Sequence, residues 1–386
     1  LVYTNNPAGG AARGAGPPQV TFALESVMDM LAEKIGTDPL EFRRTNSLLP
    51  GQSVSTGMVY DEWPFPELCD AIRPAYERAK REAGAMKSGA VKRGVGIATH
   101  AFGIGGPADI GRVVVELDPD DGLTIFAAVA DPGEGNDSML TQIASHLTGI
   151  PLKKVRLVTR DTDRTTGMGP AAGSRMTYMA GGSLVLAIEQ LHKAMEEAGT
   201  TTYEGLRKEG KPTHYLGSKM AAGRDASMDP ETGQGLSFES RVHAIQMAEV
   251  EVGTDTGEVR VVRMTTAVDP GTVINPQNLE GQLHGGMDQG VGFALREEYI
   301  HGVTKDWLTF KFPTMKTAFD MDVIINETPR AKGPLGAVGI GEMTMVCTAP
   351  AVINAIYDAC GARIYDLPAT PEKIRKALEE RNRWSR

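Results

Sequence analysis

Cysteine is scarce in this 386-residue chain: Cys69, Cys347 and Cys360 stand far apart. None has a neighbour at the spacing of a zinc or iron–sulfur site, so this chain alone builds neither. Scattered thiols and the lack of a signal-peptide pattern point to a reducing, cytoplasmic setting. Basic charge is also short. Forty Lys and Arg against 49 Asp and Glu give a net charge of −9, which argues against a nucleic-acid binder. No apolar run reads as long enough to span a bilayer. No Ser-His-Asp order or nucleophile elbow occurs. The seven histidines are dispersed, so a histidine metal site has no support. The remaining composition, 41% hydrophobic and 23% charged, is that of a globular chain with one large or two ordinary domains.

What the chain has in plenty is glycine, 45 residues of it. Glycine takes positive φ without strain and lets backbone approach a bulky ligand. Its most concentrated use is Gly333-Pro-Leu-Gly-Ala-Val-Gly-Ile-Gly-Glu342, where four glycines lead to one carboxylate. A glutamate there is held by tight backbone against something large, the setting of a general base beside a cofactor. On this segment alone, a glycine-rich turn with a solvated acid reads equally well. Three more glycine-bearing loops open onto predicted helices: 4–19, Asp131-Pro-Gly-Glu-Gly135 and 167–175. Helix N-termini present unpaired N–H groups and a positive dipole end, which suit anionic and polar ligand groups. Four such loops, with Arg13, Ser174, Arg175 and Gln282 as polar candidates, fit a large polar cofactor. None has Walker A or dinucleotide spacing.

The periodicity predicts a helix over 20–35, with Leu24, Met28, Leu31 and Ile35 on one face and Gly36 past its end. A second starts at Asp38-Pro39, and a third covers 65–82. Segments 113–125 and 248–261 read as hairpins around Asp/Gly turns. Each leads to an Asp-Pro-Gly, at Asp131 and Asp269, and then to a helix (136–147 and 275–295). A helix over 181–197 separates them. The polar segment 200–234 reads as an excursion or linker. Helices over 351–359 and 371–380 close the chain. The expected fold class is α+β, with two related lobes of mixed sheets and helices. The first, 1–235, includes the N-terminal helices; the second, 236–386, carries the Glu342 loop. The chain opens on a strand-like Leu1 and Val2 with no leader, so it reads as a processed piece or one half of something split.

The motifs run in a definite order. Arg13-Gly-Ala-Gly-Pro-Pro-Gln19 is followed by Phe22-Ala-Leu-Glu25, Met28-Asp-Met-Leu-Ala32, Asp38-Pro-Leu-Glu-Phe-Arg43 and Asn46. Then come Gly133-Glu-Gly135, Ala172-Gly-Ser-Arg175, Ile274-Asn-Pro276, Gln282-Leu-His-Gly-Gly286, Gly339-Ile-Gly-Glu342, Ala349-Pro-Ala351 and Asn354-Ala-Ile356. Together they resemble the molybdenum-binding part of the xanthine dehydrogenase and aldehyde oxidoreductase family, the molybdenum hydroxylases. The resemblance implies the second half of a molybdopterin-binding domain. It also implies a cofactor of molybdenum on a pterin, in bacteria often the cytosine dinucleotide form, with no protein ligand to the metal. Glu342 would be the general base toward a water-derived oxygen. Gly341 would set its N–H near the metal's ligands, and Gln282 would donate to an oxo group. Arg13, Gly173, Ser174 and Arg175 would hold the pterin or its phosphates, with the Gly133-Glu134-Gly135 turn against the cofactor. Electrons would pass to [2Fe-2S] clusters, and in some members FAD, on partner chains.

Three departures stand out. The family's aromatic two positions after the arginine is Ala15 here, and the residue before the arginine, often Phe, is Ala12. Two alanines predict a wider substrate pocket, or one filled from another chain. The family's Gly-Gln-Gly turn carries Glu134, and an acid lacks the amide's donor. The family's iron–sulfur domains and first molybdenum half-domain precede the segment that starts at Leu1. The expectation is a split subunit, as in nicotinate-dehydrogenase-like enzymes, or a cut polypeptide, with an obligate partner across a large apolar interface. The expected function is then a molybdenum hydroxylase subunit, active only with its partners, that oxidises an aldehyde or N-heterocycle. One alternative is a non-catalytic cofactor-binding or assembly protein of the same fold. Another is a hydrolase that uses Glu342 on a water.

Overall fold

The computed structural model of the protein describes residues 3–5, 9–49, 51–221 and 228–384. The strand reading at Leu1 and Val2 falls outside them, as do residues 6–8 of the first loop and 222–227 of the polar segment.

Three helices lead. α1 (Pro17–Ile35) starts on a Pro-Pro pair and ends at Gly36, whose φ of 71° is left-handed. α2 (Pro39–Thr45) is capped by Asp38, which accepts from the N–H groups of Leu40 and Glu41. α3 is Phe65–Gly84. The predicted apolar face of α1 does not point inward. Leu24, Leu31 and Ile35 are 53%, 43% and 60% exposed, and Val20 and Val27 are exposed beside them. The buried side instead carries Thr21, Glu25 and Ser26. Glu25 accepts from Arg43 Nε at 2.7 Å and from the Thr99 N–H and hydroxyl at 3.0 Å each, and Asn354 Nδ2 donates to its backbone carbonyl. Burial pushes the Glu25 carboxyl up, while Arg43 and Thr99 pull it down. A buried charge survives this way when its hydrogen bonds are made. The knot fixes α1, and with it the loop that carries Arg13.

The remaining elements are β1 (Val91–Ile104), β2 (Ile110–Leu117), β3 (Leu123–Phe126), α4 (Asn136–Thr148), β4 (Val155–Val158), α5 (Gly182–Ala198) and α6 (Tyr203–Lys208). They continue as β5 (His214–Met220), β6 (Ser240–Gly253), β7 (Val259–Asp269), α7 (Pro276–Leu295), α8 (Trp307–Phe310), β8 (Asp320–Ile325), α9 (Met343–Val346), α10 (Thr348–Cys360) and α11 (Pro371–Trp384). The strands form two mixed sheets, β4-β3-β2-β5 and β1-β6-β7-β8. The two predicted hairpins are β2–β3 and β6–β7. Each chain path then crosses through a helix, α4 or α7, to a parallel neighbour, β4 or β8. A glycine loop and a long helix follow in both cases. α5 packs on β5 and β2; α10 packs on β1 and β6. Glycine permits the close contact in each sheet: a Cβ at Gly217 would lie 1.9 Å from Ser183 O, and one at Gly96 would lie 2.1 Å from Ala355 N. α3 covers the other face of the second sheet, where Leu68, Ile72 and Tyr76 pack with Ile97, Ile245 and Met247.

Two expectations need correction. The segment read as a linker supplies α6 and the edge strand β5, which pairs with β2 from Met220 opposite Ile110 to His214 opposite Glu116. Only Gly217 of β5 is buried, so the strand lacks the apolar alternation that marks one in sequence. The stretch Met343–Cys360 is long and apolar enough to cross a membrane, but 89% of it is buried in the core as α9 and α10. In addition, β1 pairs with β6 along its whole length, Val91 opposite Gly253 to Ile104 opposite Ser240. The second sheet therefore draws strands from both sides of residue 235.

Candidate active site

Parts of all four glycine loops, joined by Asn278 and Gln282 of α7, line one cavity of about 530 Å³. Arg13 ties three of its elements together. Its Nε donates to Gly341 O at 2.6 Å, and Nη2 donates to Gln282 O at 3.2 Å and Gln282 Oε1 at 2.9 Å. Arginine has donors only, so it fixes the oxygen end of the Gln282 amide and leaves the amide's N–H groups for another acceptor. Burial lowers the Arg13 guanidinium, and the charges of Glu134 and Glu342 oppose that.

The Asp131 loop is wound around its own carboxylate. Asp131 Oδ1 accepts from the N–H groups of Gly133 and Gly135 at 2.9 and 3.0 Å, and Oδ2 accepts from Asp137 N–H at 3.1 Å. Gly133 and Gly135 have φ of 111° and 90°, and a Cβ at Gly135 would fall 2.1 Å from Asn278 Nδ2. Burial opposes ionisation of Asp131, but these backbone donors outweigh it and hold the carboxyl low. The Gly133 and Gly135 donors are thus turned inward. Glu134 lines the cavity and accepts from Asn136 Nδ2. Burial raises the Glu134 carboxyl; Asn136 opposes this, Asp131 reinforces it, and, more weakly, Arg13 lowers it and Glu342 raises it.

Arg175, expected with Arg13, Gly173 and Ser174 to hold the pterin or its phosphates, has its donors committed to protein acceptors. Nε and Nη2 donate to Asp109, Nη2 also donates to Ile110 O, and Nη1 donates to Met168 O and Pro170 O. All five of its N–H donors are thereby used, so it shapes the 167–175 loop. Gly173 and Ser174, expected on the pterin, meet Glu342. Gly173 N–H donates to Glu342 Oε1 at 2.6 Å, and Glu342 N–H donates to Ser174 Oγ at 2.9 Å. Gly339 is required there, since a Cβ would lie 2.0 Å from Ser174 O.

Glu342 Oε2 is buried and has no hydrogen-bond partner among the described residues. The N–H groups of Gly339, Ile340 and Gly341 likewise find no protein acceptor there, and all three residues line the cavity. The unpaired N–H groups suit acceptor oxygens on a bulky bound group, and the orphaned carboxylate oxygen beside them suits a proton donor on the same group. The residues present therefore fit an oxo-bearing cofactor that also carries a protonated oxygen.

Glu342 also lines a second cavity, of about 480 Å³. Its walls include Ala15, Pro17, His100, Phe102, Asp109, Phe238 and Arg241. Ala15 lies here, with φ of 47°, whereas Ala12 lines the first cavity. His100, Phe238 and Arg241 were missed from sequence, because each stands outside any glycine loop or spaced motif.

The fold and this site define a cofactor-binding domain. The molybdopterin cofactor-binding domain family matches the chain over residues 71–319, and again over residues 1–47; the chain belongs to that family. It is 38% identical to the aldehyde oxidoreductase of Megalodesulfovibrio gigas, across 98% of this chain and 42% of that protein. It is 31% identical to the xanthine dehydrogenase molybdenum-binding subunit of Escherichia coli O157:H7, across 96% of this chain and 54% of that subunit. The crystal structure of the aldehyde oxidoreductase from Desulfovibrio desulfuricans superposes with a TM-score of 0.91 at 36% identity, over 95% of this chain and 41% of that one. The chain spans about half the length of these relatives, or less.

Proposed function

We propose that this chain is the second half of the molybdopterin-binding domain of a molybdenum hydroxylase that oxidises an aldehyde or an N-heterocycle. The observation that carries the reading is Glu342. One carboxylate oxygen is pinned by Gly173 N–H, the other is buried without a partner, and the residue stands on the wall shared by both cavities. When bound, the molybdenum–pterin group supplies a water-derived oxygen and takes up two electrons. Glu342 Oε2 accepts the proton of the attacking oxygen, as a general base with no competing donor nearby. The Gln282 amide and the N–H groups of Gly339, Ile340 and Gly341 hold the cofactor's anionic oxygens. Arg13 and Arg175 act by fixing those loops.

The exposed apolar stripe of α1 supports a partner that contributes the first half of the domain. We place [2Fe-2S] clusters, and FAD where the enzyme has it, on partner chains, and assign the cytosine dinucleotide form of the pterin. The three cysteines are free, buried thiols, in keeping with a cytoplasmic protein. In the purified complex, Glu342→Gln should cut turnover about 10²–10⁴-fold while molybdenum stays bound. A variant at full rate removes Glu342 from the chemistry. A second reading, an assembly protein that holds the cofactor without turning over, is favoured by the Glu134 carboxylate in the cofactor cavity. Molybdenum near one per complex with no electron flow to a dye acceptor would select it.

A further inference from the structure

The second cavity has one positive charge left over. Among the groups that face it, Asp109 is bound by Arg175 Nε and Nη2 at 2.6 to 2.9 Å. Burial, helped by the charge of Arg241, lowers His100 to about 4, so its ring is neutral near pH 7; Nδ1 lies 3.1 Å from Thr21 Oγ1. Glu342 stands at the wall shared with the cofactor cavity. Arg241 has no carboxylate within ion-pair reach among the described residues. Nη1 donates to Ala101 O at 3.0 Å; Nη2 has no acceptor among those residues, and Nε is buried without one.

Its position is fixed nonetheless. The guanidinium lies 5.0 Å from the Tyr60 ring centre and 5.9 Å from that of Phe238. Tyr60 OH is tied to Phe238 O at 2.9 Å. Arg330 Nε donates to the Arg241 carbonyl at 3.2 Å. Gly103, opposite Arg241 in the β1–β6 register, leaves room for the Phe238 ring, since a Cβ there would lie 2.1 Å from it. An aromatic-backed guanidinium with unmatched donors, in a cavity where the other basic groups are paired or neutral and the one unmatched carboxylate, Glu342, sits at the wall shared with the first cavity, is built to receive a planar anion.

We propose that Arg241 anchors a carboxylate of the substrate in the second cavity, so that the enzyme's substrate is an aldehyde or N-heterocycle bearing a carboxylate remote from its oxidised carbon. This rests on the oxidative reading above. The orientation follows from charge: like charges repel, so the substrate's carboxylate goes to Arg241 and its neutral, oxidisable carbon goes to Glu342. Phe102 and Phe238 supply apolar surface in the same cavity for a substrate ring.

The test uses the cofactor-loaded complex and matched substrates: 4-formylbenzoate against benzaldehyde, and a pyridine carboxylate against its carboxamide. The wild type should favour the charged member of at least one pair about 10–100-fold in kcat/KM, through KM. Arg241→Gln should erase that preference, and Arg241→Lys should restore part of it, which a mere folding defect would not allow. A second arm needs no turnover: calorimetric binding of benzoate, benzamide and inorganic phosphate to the same proteins. Benzoate should bind at least about 10-fold more tightly than benzamide and lose that margin in Arg241→Gln. Equal binding of benzoate and benzamide, or a preference that survives Arg241→Gln, overturns the proposal. So does phosphate binding as tightly as benzoate, which marks a general anion site. If no substrate is oxidised but benzoate binds through Arg241, the carboxylate site stands and the oxidative reading fails.

Discussion

Both repeats place Asp-Pro-Gly after their hairpin, and they use it in opposite ways. In the second, Asp269 is fully buried: Arg330 Nη1 lies 2.9 Å from Oδ1, Asn326 donates to Oδ2 at 2.6 Å, and Gly271 N–H donates to Oδ1 at 3.1 Å. That copy is a structural rivet. In the first, Asp131 stays partly exposed and gathers only backbone donors, which wind the loop that brings Glu134 to the cavity. The corresponding glycine loops, 167–175 and 333–342, then meet at Gly173, Ser174 and Glu342. One architecture, used twice, buries its aspartate as a rivet in one copy and winds a cavity loop around it in the other, and Glu342 sits where the two copies meet.

The comparison can be broken most severely at the rivet. Asp269→Ala leaves the buried Arg330 unpaired, so a loss of about 3–5 kcal/mol is expected in chemical denaturation. A loss under 1 kcal/mol would contradict the rigid assignment. Next come the glycines that seat each helix. Gly96→Ala and Gly217→Ala force a Cβ into backbone, and each should cost about 1–3 kcal/mol; a large effect in one sheet alone would show that the two sheets do not share this packing device. Asp131→Ala should cost less stability than Asp269→Ala, because its partners are nearer to solvent, but should lower the molybdenum content of the complex. Unchanged metal content would detach the loop from cofactor binding.

The smallest effect tests how the helices differ. α7 is longer than α4 and leads to Glu297, whose Oε1 is buried without a partner among the described residues. Burial, reinforced by Asp288, raises the Glu297 carboxyl to about 7. The folded state then holds a proton that the unfolded chain releases near its ordinary value of 4.5. Stability contributed by this group is present below pH 4.5 and falls as pH rises toward 7. Glu297→Gln should therefore gain Tm relative to wild type at pH 8 but not at pH 4.5. Parallel melting curves at the two pH values check the sign.

How much of this could be read from residues alone follows a physical division. The capped helices, the two hairpins and the Glu342 loop were legible, because proline, aspartate and glycine act locally at their ends and turns. β5 was not, since an exposed edge strand has no apolar alternation. The apolar stripe on α1 was legible, but its direction was not: a period fixes which residues share a face and says nothing of what the face meets. The loops that line the first cavity were legible as glycine loops, yet the contacts of Arg175, Gly173 and Ser174 are with Asp109 and Glu342, 66 to 169 residues away. Arg241 left no signal, because a lone arginine at the start of a strand looks like any surface charge until its neighbours are placed.

The most direct measurement is an experimental structure of the cofactor-loaded complex, read at Glu342 Oε2. An oxygen ligand of the bound group should lie within about 2.6–3.2 Å of it, with Oε1 still on Gly173 N–H. A carboxylate turned away from the bound group, with another residue in its place, would contradict the assignment of Glu342 as the base.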